Sequence, residues 1–87
     1  MHIHKYKLAF KDINTVDLPK GAEILTIQTQ YGAPYLWAQI DEKETDIVPV
    51  KIRMFETGHV FDFEGTYIST FQVRGGDLVF HAFVVKS

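Results

Sequence analysis

In the stretch TIQTQYGAPYLWAQ, residues 26–39, large rings and side-chain amides fall at strand spacing. Side chains alternate across a strand, so Thr26, Gln28 and Gln30 share one face with Tyr35, Trp37 and Gln39 if the segment folds as a hairpin. A merely solvated face would favour Lys, Glu and Thr. This one offers rings that can stack on bases and amides that can read their donor and acceptor edges. Further along, Lys51 and Arg53 alternate with apolar residues in VPVKIRMF, and a guanidinium can hold a phosphate through two hydrogen bonds. ETGH, residues 56–59, adds the hydroxyl of Thr57, the bare backbone of Gly58 and the imidazole of His59, all suited to an oxyanion. Thr70 and Gln72 add a hydroxyl and an amide from another strand. Rings, amides and a cation together suit a small, flat, anionic ligand, of which a nucleotide is the simplest. The candidate binding residues are Gln28, Gln30, Tyr35, Trp37, Arg53, Thr57, Gly58, His59, Thr70 and Gln72.

Each signal has a plainer reading. A lone Trp37 in a small domain often belongs to a core or an interface, and exposed strand glutamines are common. Lys51 and Arg53 read equally as surface charge, and ETGH as a simple turn. It is not a P-loop, because no Gly-Lys-Ser/Thr follows it. His2 and His4 face one way in a strand and could take His81 as a third ligand, but no carboxylate stands in register, so no metal is expected. Asp41, Glu44 and Asp46 in DEKETD lack the glycine of calcium loops and read as a solvated loop. Asp62 and Glu64 share a strand face, and Ser69 has no nucleophile elbow around it. Neither catalysis nor a cofactor is expected.

The elements that must position these residues are strands. Helical periodicity is poor, alternation is frequent, and aromatic and β-branched residues fill the runs. The expected class is mainly β: a small single-domain antiparallel sheet or sandwich built from hairpins. Strands are expected at 3–10, 23–30, 35–41, 48–56, 66–74 and 77–85, with 11–22 the weakest region. LPKGA, residues 18–22, reads as a turn. A two-residue type II′ turn at Gly32-Ala33 would pair Gln30 with Tyr35 and Gln28 with Trp37, sending Leu25, Ile27, Thr29, Leu36, Ala38 and Ile40 to the core. A type I′ turn at Gly75-Gly76 would set Arg74 opposite Asp77 as an ion pair. It would also place Tyr67, Ser69, Phe71, Val73, Leu78, Phe80, Ala82 and Val84 on a second core face. The opposite face, with Ile68, Thr70, Gln72, Val79, His81, Phe83 and Val85, is too apolar for water and too polar for a core, as at contacts with a ligand or another subunit. In VPVKIRMF, Val48, Val50, Ile52 and Met54 would face the core and Lys51, Arg53 and Phe55 the other side. If that side adjoins the aromatic–amide face, it brings positive charge to it.

The chain has 87 residues, enough for one domain, 1–87. Such a chain buries only roughly 60–65% of its unfolded surface, so assembly would supplement a thin margin. The net charge of −2 argues against a nucleic-acid polymer or an acidic membrane as partner, without excluding a local cationic site. There is no cysteine, hence no disulfide, thiolate zinc site or thiol nucleophile. No signal peptide and no membrane-length apolar run is visible, which reads as a soluble protein of a reducing cytoplasm.

KYKL, LPKGAEILTIQTQYGAPYLWA, ETGH, YISTFQ and GGDLVFHAF, in that order, carry a likeness over most of the chain. The chain resembles a group of short bacteriophage proteins identified as the anti-CBASS sponges, which sequester the cyclic dinucleotides of a bacterial defence system. The resemblance implies binding without cleavage, 3′3′-cGAMP or a relative as ligand, a homo-oligomer with a tetramer favoured, and the cytoplasm of the infected host. It places Trp37, Gln28, Gln30, Thr57, Gly58, His59, Thr70 and Gln72 in matching motifs. Glu56 departs from the small residue expected to open the Thr-Gly-His loop. Two rival functions stand beside it: a protein-binding inhibitor or structural phage module, and a phosphodiesterase acting on the same signal.

Overall fold

The computed structural model describes residues 1–59, 62 and 64–85. Seven strands follow one another: β1 (His2–Lys7), β2 (Ile13–Pro19), β3 (Glu23–Gln30), β4 (Ala33–Ile40), β5 (Ile47–Glu56), β6 (Gly65–Val73) and β7 (Leu78–Val85). They form two antiparallel sheets, one ordered β1-β4-β3 and the other β2-β5-β7-β6. The expected mainly-β, hairpin-built class is the observed one.

Alternation builds the core. Ile27, Leu36, Ala38 and Ile40 come from the three-stranded sheet, and Val16, Leu18, Ile52, Met54, Phe71, Val73 and Ala82 from the four-stranded one. The sheets meet where β3 runs beside β6. A side chain, rather than a backbone ladder, makes this seam. Ile27 N–H donates to Ser69 Oγ at 3.0 Å, and the Ser69 hydroxyl donates to the Ile27 carbonyl at 2.7 Å. Next to it, the Thr29 hydroxyl donates to the Gln72 carbonyl at 2.8 Å. Buried backbone groups need partners, so Ser69 does for the seam what a neighbouring strand would otherwise do.

The β6–β7 register agrees with expectation from Ser69↔Ala82 to Val73↔Leu78. Arg74, Gly75 and Gly76 all take positive φ, 54°, 66° and 107°, and Asp77 N–H donates to the Arg74 carbonyl at 3.3 Å, so pairing ends at Val73↔Leu78 on a four-residue loop and not on the expected two-residue turn with Arg74 opposite Asp77. The expected Arg74–Asp77 ion pair does not form among the described residues. A bulge between Tyr67 and Ser69 reverses the alternation. Tyr67 therefore lies outside, and Ile68 packs on the core in its place.

Four further expectations are corrected. Residues Ile13–Pro19 form a strand, because Asn14, Val16 and Leu18 point inward against β5. The β3–β4 turn is centred on Tyr31-Gly32, with φ 52° and 77°, not on Gly32-Ala33. A type I′ turn matches the right-handed twist of the strands, and this one pairs the fully buried Ile27 and Leu36. The pairs become Gln30↔Ala33, Gln28↔Tyr35 and Thr26↔Trp37. Faces keep their members because the shift is two positions in register. A bulge between Ile24 and Thr26 turns Leu25 out to solvent and Ile24 in. Val48 is also exposed rather than buried.

LPKGA contains the expected turn: Ala22 N–H donates to the Pro19 carbonyl at 3.0 Å, with Gly21 at φ 82°. Asn14 pins the preceding loop. Its Oδ1 accepts from Ala9 N–H at 2.9 Å, and its Nδ2 donates to the Ala9 carbonyl at 3.0 Å. Among the described residues, no helix is long and apolar enough to cross a membrane.

Candidate functional site

The ten candidate residues divide between the outer faces of the two sheets. On the three-stranded sheet, β4 lies in the middle and presents Tyr35 and Trp37, both half-buried. Their ring centroids are 5.9 Å apart, tilted by 52°. β3 sets Gln28 opposite Tyr35 and Thr26 opposite Trp37, with Gln30 at the turn end. β1 sets Lys7 opposite Tyr35 and Lys5 opposite Trp37 from the other side. The Lys5 ammonium lies 4.7 Å from the Tyr35 ring centroid and 5.9 Å from that of Tyr31, and donates to Gln30 Oε1 at 2.6 Å. Gln28 Nε2 donates to Thr26 Oγ1 at 3.1 Å. Among the described residues, the Trp37 indole N–H and the Gln39 amide have no hydrogen-bond partner. The face therefore combines two rings, spare polar groups and two ammonium groups, with Glu23 as its acidic member beside Gln39.

Lys5, Lys7 and Tyr31 escaped the sequence reading. The alternation of KYK sends both lysines to one face, but nothing local says that β1 pairs with β4. Lys51 and Arg53 do not bring their charge here, since β5 belongs to the other sheet.

The outer face of the four-stranded sheet holds Arg53, Phe55, Thr57, Tyr67, Thr70, Gln72, His81 and Phe83. The Arg53 guanidinium donates from Nη2 to both carboxylate oxygens of Asp12 at 3.0 Å and lies 4.8 Å from the Phe55 ring centroid. Phe83 meets Phe55 at 6.1 Å and Tyr67 at 5.6 Å, both edge-on. His81 sits between two hydroxyls, with Thr57 Oγ1 2.8 Å from Nε2 and Thr70 Oγ1 2.9 Å from Nδ1. Tyr67 Oη extends the chain to Thr70 Oγ1 at 2.7 Å. β6, β7 and the turn after β5 are thus cross-linked by one polar relay.

ETGH folds as a turn in which Gly58 takes φ 93° and His59 N–H donates to the Glu56 carbonyl at 3.1 Å. Thr57 N–H donates to the Val79 carbonyl at 3.1 Å. These two amides are satisfied within the fold. His59 Nε2 lies 3.3 Å from Glu56 Oε2. A cleft of about 410 Å³ beside this turn is lined by Phe10, Asp12, Arg53, Phe55, Glu56 and His59, among others.

His81 lies on this face and His2 and His4 on β1, so the three imidazoles do not converge. No three His, Asp or Glu side chains among the described residues form a metal-sized cluster. In DEKETD, Asp41 Oδ1 accepts from Lys43 N–H at 3.0 Å, and Glu44 Oε2 from the amides of Thr45 and Asp46 at 3.0 and 3.1 Å. The Glu42 carboxyl is held below its ordinary range by its own backbone amide first, then by the N-terminal ammonium.

Fold and faces define a small two-sheet β domain with a hydroxyl–imidazole network on one outer face and, on the other, two rings beside unpaired polar groups. The chain belongs to the family described as a domain of unknown function, DUF7352, which matches residues 1–87. No curated protein and no solved structure matches it.

Proposed function

We propose that the protein is a sponge that binds a cyclic dinucleotide signal such as 3′3′-cGAMP and holds it without cleaving it. The observation that carries this reading is the row of Trp37, Tyr35 and Lys5 on one sheet face, with Gln28, Gln30 and Gln39 around it. Bases stack on the two rings, as on sheet-borne aromatics generally, and the glutamines meet base edges. Lys5 and Lys7 supply charge for phosphate. The ligand has two bases and two phosphates, whereas one chain offers a single flat face. A second copy placed about a two-fold axis covers the other side of the ring. The homo-oligomer, with a tetramer favoured, is proposed with the ligand, and the host cytoplasm as the place where both meet.

The test is titration calorimetry of the purified chain against a panel of cyclic dinucleotides, followed by denaturation and analysis of the nucleotide. Tight binding with intact recovery supports the reading. Linear products would make the protein a phosphodiesterase, and no heat from any member would remove the nucleotide reading.

A further inference from the structure

We propose that His2 and His4 form a two-nitrogen site for a divalent transition-metal ion of the copper, nickel and zinc group. β1 is an edge strand, and its alternation sends His2 and His4 to the same side, opposite Ile40 and Ala38 of β4. Their rings lie 4.3 Å apart between centroids, and the two Nε2 atoms are 2.6 Å apart. Glu42 fixes how this pair is protonated. Its Oε2 lies 3.1 Å from His2 Nδ1 and, being a carboxylate, can only accept, so neutral His2 carries its proton on Nδ1. The Nε2 lone pair of His2 then points at Nε2 of His4. That lone pair accepts a hydrogen bond from Nε2–H of His4 at 2.6 Å, a proton whose place a metal ion between the two nitrogens would take.

A metal fits with a small movement. Metal–imidazole bonds of about 2.0–2.1 Å, at square or tetrahedral angles, need the nitrogens roughly 2.9–3.3 Å apart. Rotation of two exposed side chains supplies the difference. Glu42 takes the place that a carboxylate holds behind many metal-bound histidines, where it orients the ring and raises its basicity. Imidazole nitrogen selects copper, nickel and zinc over magnesium and calcium, with Cu²⁺ the tightest of the three. With two protein nitrogens, the remaining coordination positions belong to water. The site is an open, exchangeable chelate and not a structural one.

The experiment is calorimetric titration of the untagged full chain with Zn²⁺, in parallel with histidine-ring NMR, then repeated with Cu²⁺. The expected result is one ion per chain, with ring shifts at His2 and His4 and none at His81. His2→Ala and His4→Ala each lose at least tenfold in affinity, Glu42→Gln loses roughly tenfold, and His81→Ala loses nothing. Unchanged affinity in His4→Ala would overturn the proposal, because the ion would then belong to the N-terminal amine and His2 alone. Absence of saturable binding to the unaltered chain would overturn it too.

Discussion

The two outer faces of this domain use the same kinds of residue to opposite ends. On the four-stranded sheet, Phe55, Phe83 and Tyr67 pack edge-on against one another, and Thr57, His81, Thr70 and Tyr67 satisfy one another in a chain. Arg53 is held by Asp12. On the three-stranded sheet, Tyr35 and Trp37 lie side by side, and Trp37 and Gln39 keep polar groups with no protein partner among the described residues. A polar network closed on itself rigidifies a fold. Polar groups left over beside exposed rings are what recognition requires. Residue type alone does not separate the two cases; pairing does.

The sharpest way to break this contrast is to remove a ring from one face and a cation from the other. Trp37→Ala should weaken cyclic-dinucleotide binding by roughly five- to 150-fold, the worth of about 1–3 kcal/mol for one stacked base. Arg53→Ala should change it by no more than about twofold in the same calorimetric series, within the few tenths of a kcal/mol typical of distant, independent sites. Equal losses from both would show that the ligand bridges the faces. The seam comes next. Ser69→Ala strands the buried N–H and carbonyl of Ile27 and should cost about 1–3 kcal/mol in denaturant unfolding. An unchanged midpoint would mean that apolar packing and the Thr29–Gln72 bond hold the two sheets together without Ser69. Lys5→Met keeps most of the stem and removes the charge. It should weaken binding by roughly two- to fivefold, the value of an exposed cation–ring contact of about 0.5–1 kcal/mol, and flatten the salt dependence of the affinity.

The smallest effect concerns acid. The lowered Glu42 carboxyl contributes stability above the ordinary carboxylate range, and that contribution is lost as pH falls through its depressed value. Glu42 is exposed, so Glu42→Gln should flatten the acid limb of metal-free unfolding only slightly, and salt should hide the difference. A larger change would mean that the N-terminal contact matters more than exposure allows.

How much of this was legible follows from the range of each signal. The β6–β7 hairpin was readable because Gly75-Gly76 admits few turn types and the core alternation on both sides agrees with it. The β3–β4 turn was placed one residue late, since Gly32 suits either position and Tyr31 gives no sign that it will adopt a positive φ. The bulges at Leu25 and Tyr67 have no local marker either. β2 was missed because polar Asn14 takes an inward position and apolar Ile13 an outward one, and Asn14 earns its buried place only through Ala9. Faces within each hairpin were therefore accessible, whereas the order β1-β4-β3 and β2-β5-β7-β6 was not. That order is set by contacts far apart in sequence. It decides that Lys5 and Lys7, and not Arg53, stand beside the rings.

Trp37 is the sole tryptophan of the chain, so its fluorescence reports on the proposed face alone. The most direct measurement is its emission during titration with 3′3′-cGAMP. If the ligand stacks on this face, emission should change saturably, with the midpoint found by calorimetry. Heat of binding with constant Trp37 emission would put the ligand elsewhere and contradict the assignment of the three-stranded sheet as the recognition face.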